Sequence, residues 1–97
     1  MIHELKILPE YYNAVKSGKK KFELRKDDRG FAEGDSLRLH KWTPNGGYTG
    51  EDIITDITYI LRGHSEYGLE EGFCLMSLGP ILKTEKIDDS IRGEKEE

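Results

Sequence analysis

Lys20, Glu23 and Arg25 are the residues whose types and spacing most suggest chemistry. They lie in Ser17-Gly18-Lys19-Lys20-Lys21-Phe22-Glu23-Leu24-Arg25-Lys26-Asp27-Asp28-Arg29. Between Lys16 and Arg29 there are seven cations and three acids, a net +4 in a chain whose total is −4. One basic ribbon on an acidic protein points to a local anion site that steers a charged ligand. It does not describe a protein that coats nucleic acid over its whole surface. Arg25 offers a planar fork to phosphate or to a base edge, and Lys20, Lys21 and Arg29 add point charge. A carboxylate among these cations, Glu23, supplies an acceptor for an exocyclic amine, which a simple phosphate clamp lacks. Trp42, Tyr48 and Tyr59 are available to stack on a base. The group therefore suits a nucleotide better than a bare phosphate, although a charged triplet alternating along a strand also describes a solvated face.

Gly18, Lys20, Glu23 and Arg25 spell G-x-K-x-x-E-x-R. This resembles the signature of ASCH domains, small β-barrels related to the PUA RNA-binding domains. His3-Glu4-Leu5-Lys6, Pro9-Glu10-Tyr11-Tyr12, Glu33-Gly34-Asp35, Trp42 and Gly46-Gly47-Tyr48-Thr49-Gly50 extend the likeness from about Ile2 to about Leu78. Together they look like a compact ASCH-related family of bacteria and phages, of unknown function. The resemblance implies an α+β, mostly β architecture: a PUA-like small antiparallel barrel of five or six strands with one or two short helices. It also implies RNA or a modified nucleoside or nucleotide as partner. A binding cleft would be formed by Lys20, Lys21, Glu23, Arg25, Arg29, Trp42 and Tyr48. Some ASCH proteins instead remove the acyl group from acetylated cytidine with a lysine, a threonine three residues on, and a distal glutamate. The lysine matches Lys20, but Glu23 occupies the threonine position. Glu23 would then have to activate water, with Glu70 or Glu71 as the distal carboxylate. A third possibility is a protein-interaction module whose ribbon meets an acidic partner.

Other chemistries lack their residues. His3, His40 and His64 are dispersed, and no H-x-x-x-H or C-x-x-C spacing supports a metal site. No cofactor is expected, because neither dinucleotide nor Walker glycine spacing is present. No G-x-S-x-G elbow accompanies the serines. Asp27 and Asp28 adjoin Arg25, Lys26 and Arg29 and read as loop capping and charge balance. Cys74 lies in the apolar run Phe73-Cys74-Leu75-Met76, where a buried small hydrophobe is expected rather than a nucleophile.

The elements that must hold these groups follow from periodicity. Ile2–Leu8 reads as a strand with His3, Leu5 and Ile7 on the apolar side. His3 is either a core-edge histidine or a ligand contact. Pro9 opens a helix to about Ser17, with Gly18 as its stop. In a strand from Lys20 to Lys26, Phe22 and Leu24 share one face while Lys21, Glu23 and Arg25 share the other. Lys20 has the wrong parity for the polar face. Either the strand starts after it or Lys21 takes its place. Asp27 to Asp35 is a loop, and Ser36 to Trp42 a strand with Leu37 and Leu39 inward and Ser36, Arg38, His40 and Trp42 opposite, with a core role for Trp42 at the strand end as the alternative. Thr43 to Gly50 reads as a turn-rich hairpin loop. Ile53 to Leu61 is the next strand, with Ile53, Thr55, Ile57, Tyr59 and Leu61 on one face. Arg62 to Glu71 is a loop, and Gly72 to Leu78 a central apolar strand.

Ninety-seven residues with 35% hydrophobic and 35% charged content make one domain with a modest core. The expected boundaries are a domain over residues 1–82 and a charged, flexible tail over 83–97, where six acids face four bases. Without an apolar run near eighteen residues or a leader-like start, the expectation is a cytoplasmic protein without a membrane partner.

Overall fold

The computed structural model describes residues 1–86. In chain order it has β1 (Ile2–Ile7), α1 (Pro9–Lys16), β2 (Phe22–Lys26), β3 (Ser36–Thr43), β4 (Gly47–Leu61), a 3-10 turn (Ser65–Tyr67) and β5 (Phe73–Lys86). The five strands form one sheet in the order β1-β3-β4-β5-β2. β1 runs parallel to β3, and every other pairing is antiparallel. The sheet curls into a half-barrel, so the molecule is α+β and mostly β. Its two edges are β1 and β2.

β1 follows its alternation: His3, Leu5 and Ile7 are buried, while Ile2, Glu4 and Lys6 are exposed. His3 is a core-edge residue. Its Nε2 lies 2.8 Å from Asp35 Oδ2, and its ring meets the Phe31 ring edge-on at 4.7 Å. Pro9 starts α1, where a missing N–H costs nothing, and Glu10 in the first turn and Lys16 in the last complement the helix dipole. The helix buries Tyr12 and Val15 and leaves Tyr11 exposed. Beneath it Leu5, Ile7, Leu37, Leu39, Ile53, Ile57, Cys74 and Met76 form the centre of the core.

Three elements depart from their sequence reading. β4 begins at Gly47 rather than Ile53, so the expected hairpin loop shrinks to a turn at Pro44-Asn45-Gly46. Gly47 adopts φ +74°, a conformation favouring glycine, and the Gly46 amide donates to Thr43 Oγ1 at 2.8 Å. The turn chemistry was legible, but pairing of Trp42 with Tyr48 and Thr43 with Gly47 extends the ladder into it. β4 also changes face. Ile53, Thr55 and Ile57 are buried as expected, but Ile60 then takes the inward place and Tyr59 is exposed. The β4–β5 register shifts between Ile54 and Tyr59, and each bulge displaces the alternation.

The third departure is β5, which does not stop at Leu78. It passes through Gly79-Pro80 at a register shift where Thr55 faces Ile81 and Ile57 faces Leu78. Proline is tolerated in a sheet at such a bulge. The buried Thr55 hydroxyl donates to Gly79 O at 2.9 Å and to Pro80 O at 3.2 Å, satisfying carbonyls around the irregularity. Lys83 and Thr84, assigned to the tail by composition, instead pair with Ile54 and Ile53, and the strand reaches Lys86. The rest of the expected tail lies outside the described residues.

A cleft between the two edges of the half-barrel

The site grows from β2. Glu23 and Arg25 are two residues apart and so share a face. That face points inward, because they sit opposite Met76 and Cys74, both fully buried on β5. Glu23 is 3% exposed, whereas Phe22 and Leu24 are 47% and 53% exposed. The usual arrangement is inverted: the polar side of the strand lies within and the apolar side at the surface. A buried carboxylate requires compensating partners, and two cations supply them. Lys20 Nζ lies 2.5 Å from Glu23 Oε1, and Arg25 Nε donates to Glu23 Oε2 at 2.7 Å.

Lys20 reaches Glu23 because it stands outside the strand. The Lys19 and Lys20 amides both bond to Ala14 O at the end of α1, and β2 starts only at Phe22. Freed from strand parity, the Lys20 side chain turns inward and also donates to Phe22 O at 2.8 Å. Lys21 goes elsewhere. It does not line the cleft but borders a neighbouring apolar cavity of about 430 Å³ with Val15, Leu78, Pro80 and Ile81, a cavity that Lys20 touches as well. The choice between the two lysines thus falls to Lys20.

Two arginines span the gap between the sheet edges. Arg25 Nη2 donates to Lys6 O at 2.6 Å and Arg29 Nη1 to Glu4 O at 3.0 Å. These carbonyls belong to β1, whose other side is paired with β3, so the guanidinium groups occupy a sheet edge that would otherwise be bare. Where the edges fail to join, a cleft of about 630 Å³ opens between β1, α1 and β2. Lys20, Glu23 and Arg25 line it with Lys6, Leu8, Tyr11, Phe22, Leu24, Lys26 and Phe73. Its four cations against one acid make it electropositive, and its volume falls within the range of small-molecule sites. Lys20 Nζ also stands 4.9 Å from the Phe22 ring centre and 5.8 Å from that of Tyr11.

The remaining residues expected at the site gather next door, on the outer surface of β1, β3 and β4. Lys6 Nζ covers the Trp42 ring at 4.5 Å. Arg29 and Tyr48 border a second depression, of about 360 Å³, with Glu4, Leu5, Lys6 and His40. His40 holds two carboxylates: Nδ1 is 2.8 Å from Asp52 Oδ1, and Nε2 is 2.6 Å from Glu4 Oε1. Arg38 Nε donates to Asp52 Oδ2 at 3.0 Å. Neither Trp42, Tyr48 nor Tyr59 lines the cleft; Tyr11, Phe22 and Phe73 are its aromatic residues. Sequence reasoning missed these three. Phe22 could have been noticed as an aromatic residue placed with Leu24 on the apolar face of β2, next to the motif, and the Tyr11-Tyr12 pair carried a signal, since an eight-residue helix buries only one of them. Glu70 and Glu71 do not line the cleft, and Glu71 borders a different pocket with Asp27 and Arg62.

The shifted protonation equilibria lie away from the cleft. The hydrogen bond from His3, helped by the Ala32 amide, holds the Asp35 carboxyl below the usual carboxylate range. Burial pushes the Cys74 thiol up, with Asp27 contributing. Asp27 also accepts from Arg62 Nε at 2.7 Å, in keeping with its reading as charge balance. Among the described residues no group of three or more His, Cys, Asp or Glu side chains could hold a metal ion, and no helix is long and apolar enough to cross a membrane.

Comparison with known proteins adds a family. The chain is 45% identical over 71 residues to the "Uncharacterized 12.9 kDa protein in GpA 3'region" of Escherichia phage P2, covering 70% of this chain and 64% of that relative. The chain thus spans somewhat less than two thirds of the relative's length. Residues 2–78 match the model of one family, and that stretch contains β1 to β4, α1, the whole cleft and the first part of β5. On that match the chain belongs to the family described as "Domain of unknown function (DUF3850)".

Proposed function

We propose that this domain is a binding module for a nucleotide, held with its base in the cleft between β1 and β2. The observation that carries the reading is Glu23, a buried carboxylate clamped between Lys20 and Arg25 beside an electropositive, aromatic-rimmed cleft. A carboxylate offers about four lone-pair sites, so contacts from Lys20 and Arg25 leave capacity to accept from an exocyclic amine. Tyr11, Phe22 and Phe73 supply apolar and aromatic surface for a base, and Lys6 and Lys26 supply charge for a phosphate. The resemblance of Gly18, Lys20, Glu23 and Arg25 to the ASCH signature, with its PUA-like relatives, supports the same ligand class. Hydrolysis of an acylated cytidine has weaker support, because Glu23 stands where that chemistry uses a threonine and neither Glu70 nor Glu71 borders the cleft.

Calorimetric titration with nucleosides, nucleoside monophosphates and acetylated cytidine, with product analysis alongside, tests the proposal. Binding should be measurable, and Arg25→Ala should weaken it by about 1.5–3 kcal/mol, the scale of a hydrogen bond to a charged group. Acetate release from acetylated cytidine, abolished by Lys20→Ala, would replace binding with the hydrolytic reading. Absence of any ligand below millimolar concentration, together with salt-sensitive association with acidic proteins, would replace it with a protein contact.

A further inference from the structure

The cleft does not end at β1. Lys6 borders both the cleft and the neighbouring depression formed by Glu4, Leu5, Arg29, His40 and Tyr48. From this continuity we infer that the natural ligand is a single-stranded oligonucleotide rather than an isolated nucleotide. One base enters the cleft, the adjoining phosphate lies between Lys6 and Arg29, and the flanking base stacks on Tyr48. The inference rests on the nucleotide-binding reading of the cleft and specifies its substrate class.

Three observations support it. Tyr48 is 61% exposed on a strand that follows a tight turn, with its ring steadied edge-on against His40 at 5.8 Å. An exposed aromatic ring is a sequence-tolerant platform for an unpaired base. The acids of this surface lie against partners of their own: Glu4 against His40, and Asp52 against His40 and Arg38. Lys6, by contrast, has its ammonium over the Trp42 ring, and Arg29 approaches Asp28 only to 3.9 Å while donating to a neutral carbonyl. Among the described residues Lys6 has no carboxylate partner, and Arg29 is paired only at 3.9 Å with Asp28, so both keep charge available where the cleft and the depression share Lys6. Paired nucleic acid would not suit the arrangement, because a base in the cleft must leave its stack.

The test compares a nucleoside monophosphate with dinucleotides and tetranucleotides of RNA and of DNA, by calorimetry or fluorescence anisotropy. The tetranucleotide should bind about tenfold more tightly than the monophosphate, within the range for stacking of one further base. Tyr48→Ala should remove most of that gain and leave monophosphate binding unchanged, whereas Tyr48→Phe should restore it. Lys6→Gln should lower the slope of log affinity against log salt by about one for the tetranucleotide. The RNA and DNA arms show whether the 2′-hydroxyl contributes. If the monophosphate binds and the tetranucleotide binds no better, the inference is overturned and the cleft reading stands. If the tetranucleotide binds through Tyr48 but is indifferent to Arg25→Ala, the cleft reading fails while the outer surface remains a nucleic-acid contact. If neither probe binds, both are wrong.

Discussion

Glu23→Gln should destabilise the protein before it does anything to a ligand. The substitution keeps the shape of the side chain but removes the charge at a position 3% exposed, leaving Lys20 and Arg25 close together without an acid between them. Breaking a buried ion pair by removing one partner costs about 3–5 kcal/mol. Here the cations are partly solvated, with side chains 15% and 25% exposed, so part of that cost is relieved by water. A loss of about 2–3 kcal/mol is expected, close to the low end for a buried pair. For a domain of this size each kcal/mol moves the midpoint by about 4–8 °C, so thermal unfolding followed by circular dichroism should shift down by about 10–20 °C. Because the clamp is mostly shielded from solvent, the shift should persist at high salt, where surface pairs are screened. Adding Lys20→Met to Glu23→Gln should recover part of the loss, since it removes one of the stranded charges. A midpoint within about 3 °C of the parent protein would refute the reasoning and mark the triplet as a solvated face.

Asp35 makes acid stability testable. Its folded pKa is depressed by the His3 bond, so its contribution is present above the ordinary carboxylate pKa and is lost as pH falls through the lower folded value. Asp35→Asn should therefore lower stability at neutral pH and flatten the acid limb of a stability-versus-pH curve; an unchanged limb would contradict this. Cys74 is 0% exposed, and burial raises its thiol pKa, so native protein should react with a thiol reagent far more slowly than protein in denaturant. Equal rates would place the residue at the surface. Truncation after Leu82 should lower the thermal midpoint, because it removes the β5 partners of Ile53 and Ile54; an unchanged midpoint would show that this ladder adds nothing.

Local spacing carried much of the fold. The alternation of His3, Leu5 and Ile7, the proline that opens α1, the inward Leu37 and Leu39, and the apolar setting of Cys74 are all decided within a few residues, and the structure keeps them. The mixed, mostly β class follows from those elements together. Spacing also put Glu23 and Arg25 on one face of β2. It could not say that this face points inward, since period-two alternation defines two faces without ranking them. The ranking comes from β5, which places Met76 and Cys74 opposite the charged pair, and from the meeting of β1 with β2, which turns Phe22 and Leu24 into the wall of a cleft. Lys20 joins Glu23 for a similar reason: its backbone is tied to the end of α1, so strand parity does not bind it. Tyr59 is turned outward by bulges, and Lys83 and Thr84 are strand residues because β4 is long enough to pair with them. Trp42 and Tyr48 flank a turn-rich, uncharged stretch of chain with no signal that they border a surface other than the cleft. A sequence states which side chains share a face; the closure of the sheet decides what each face meets.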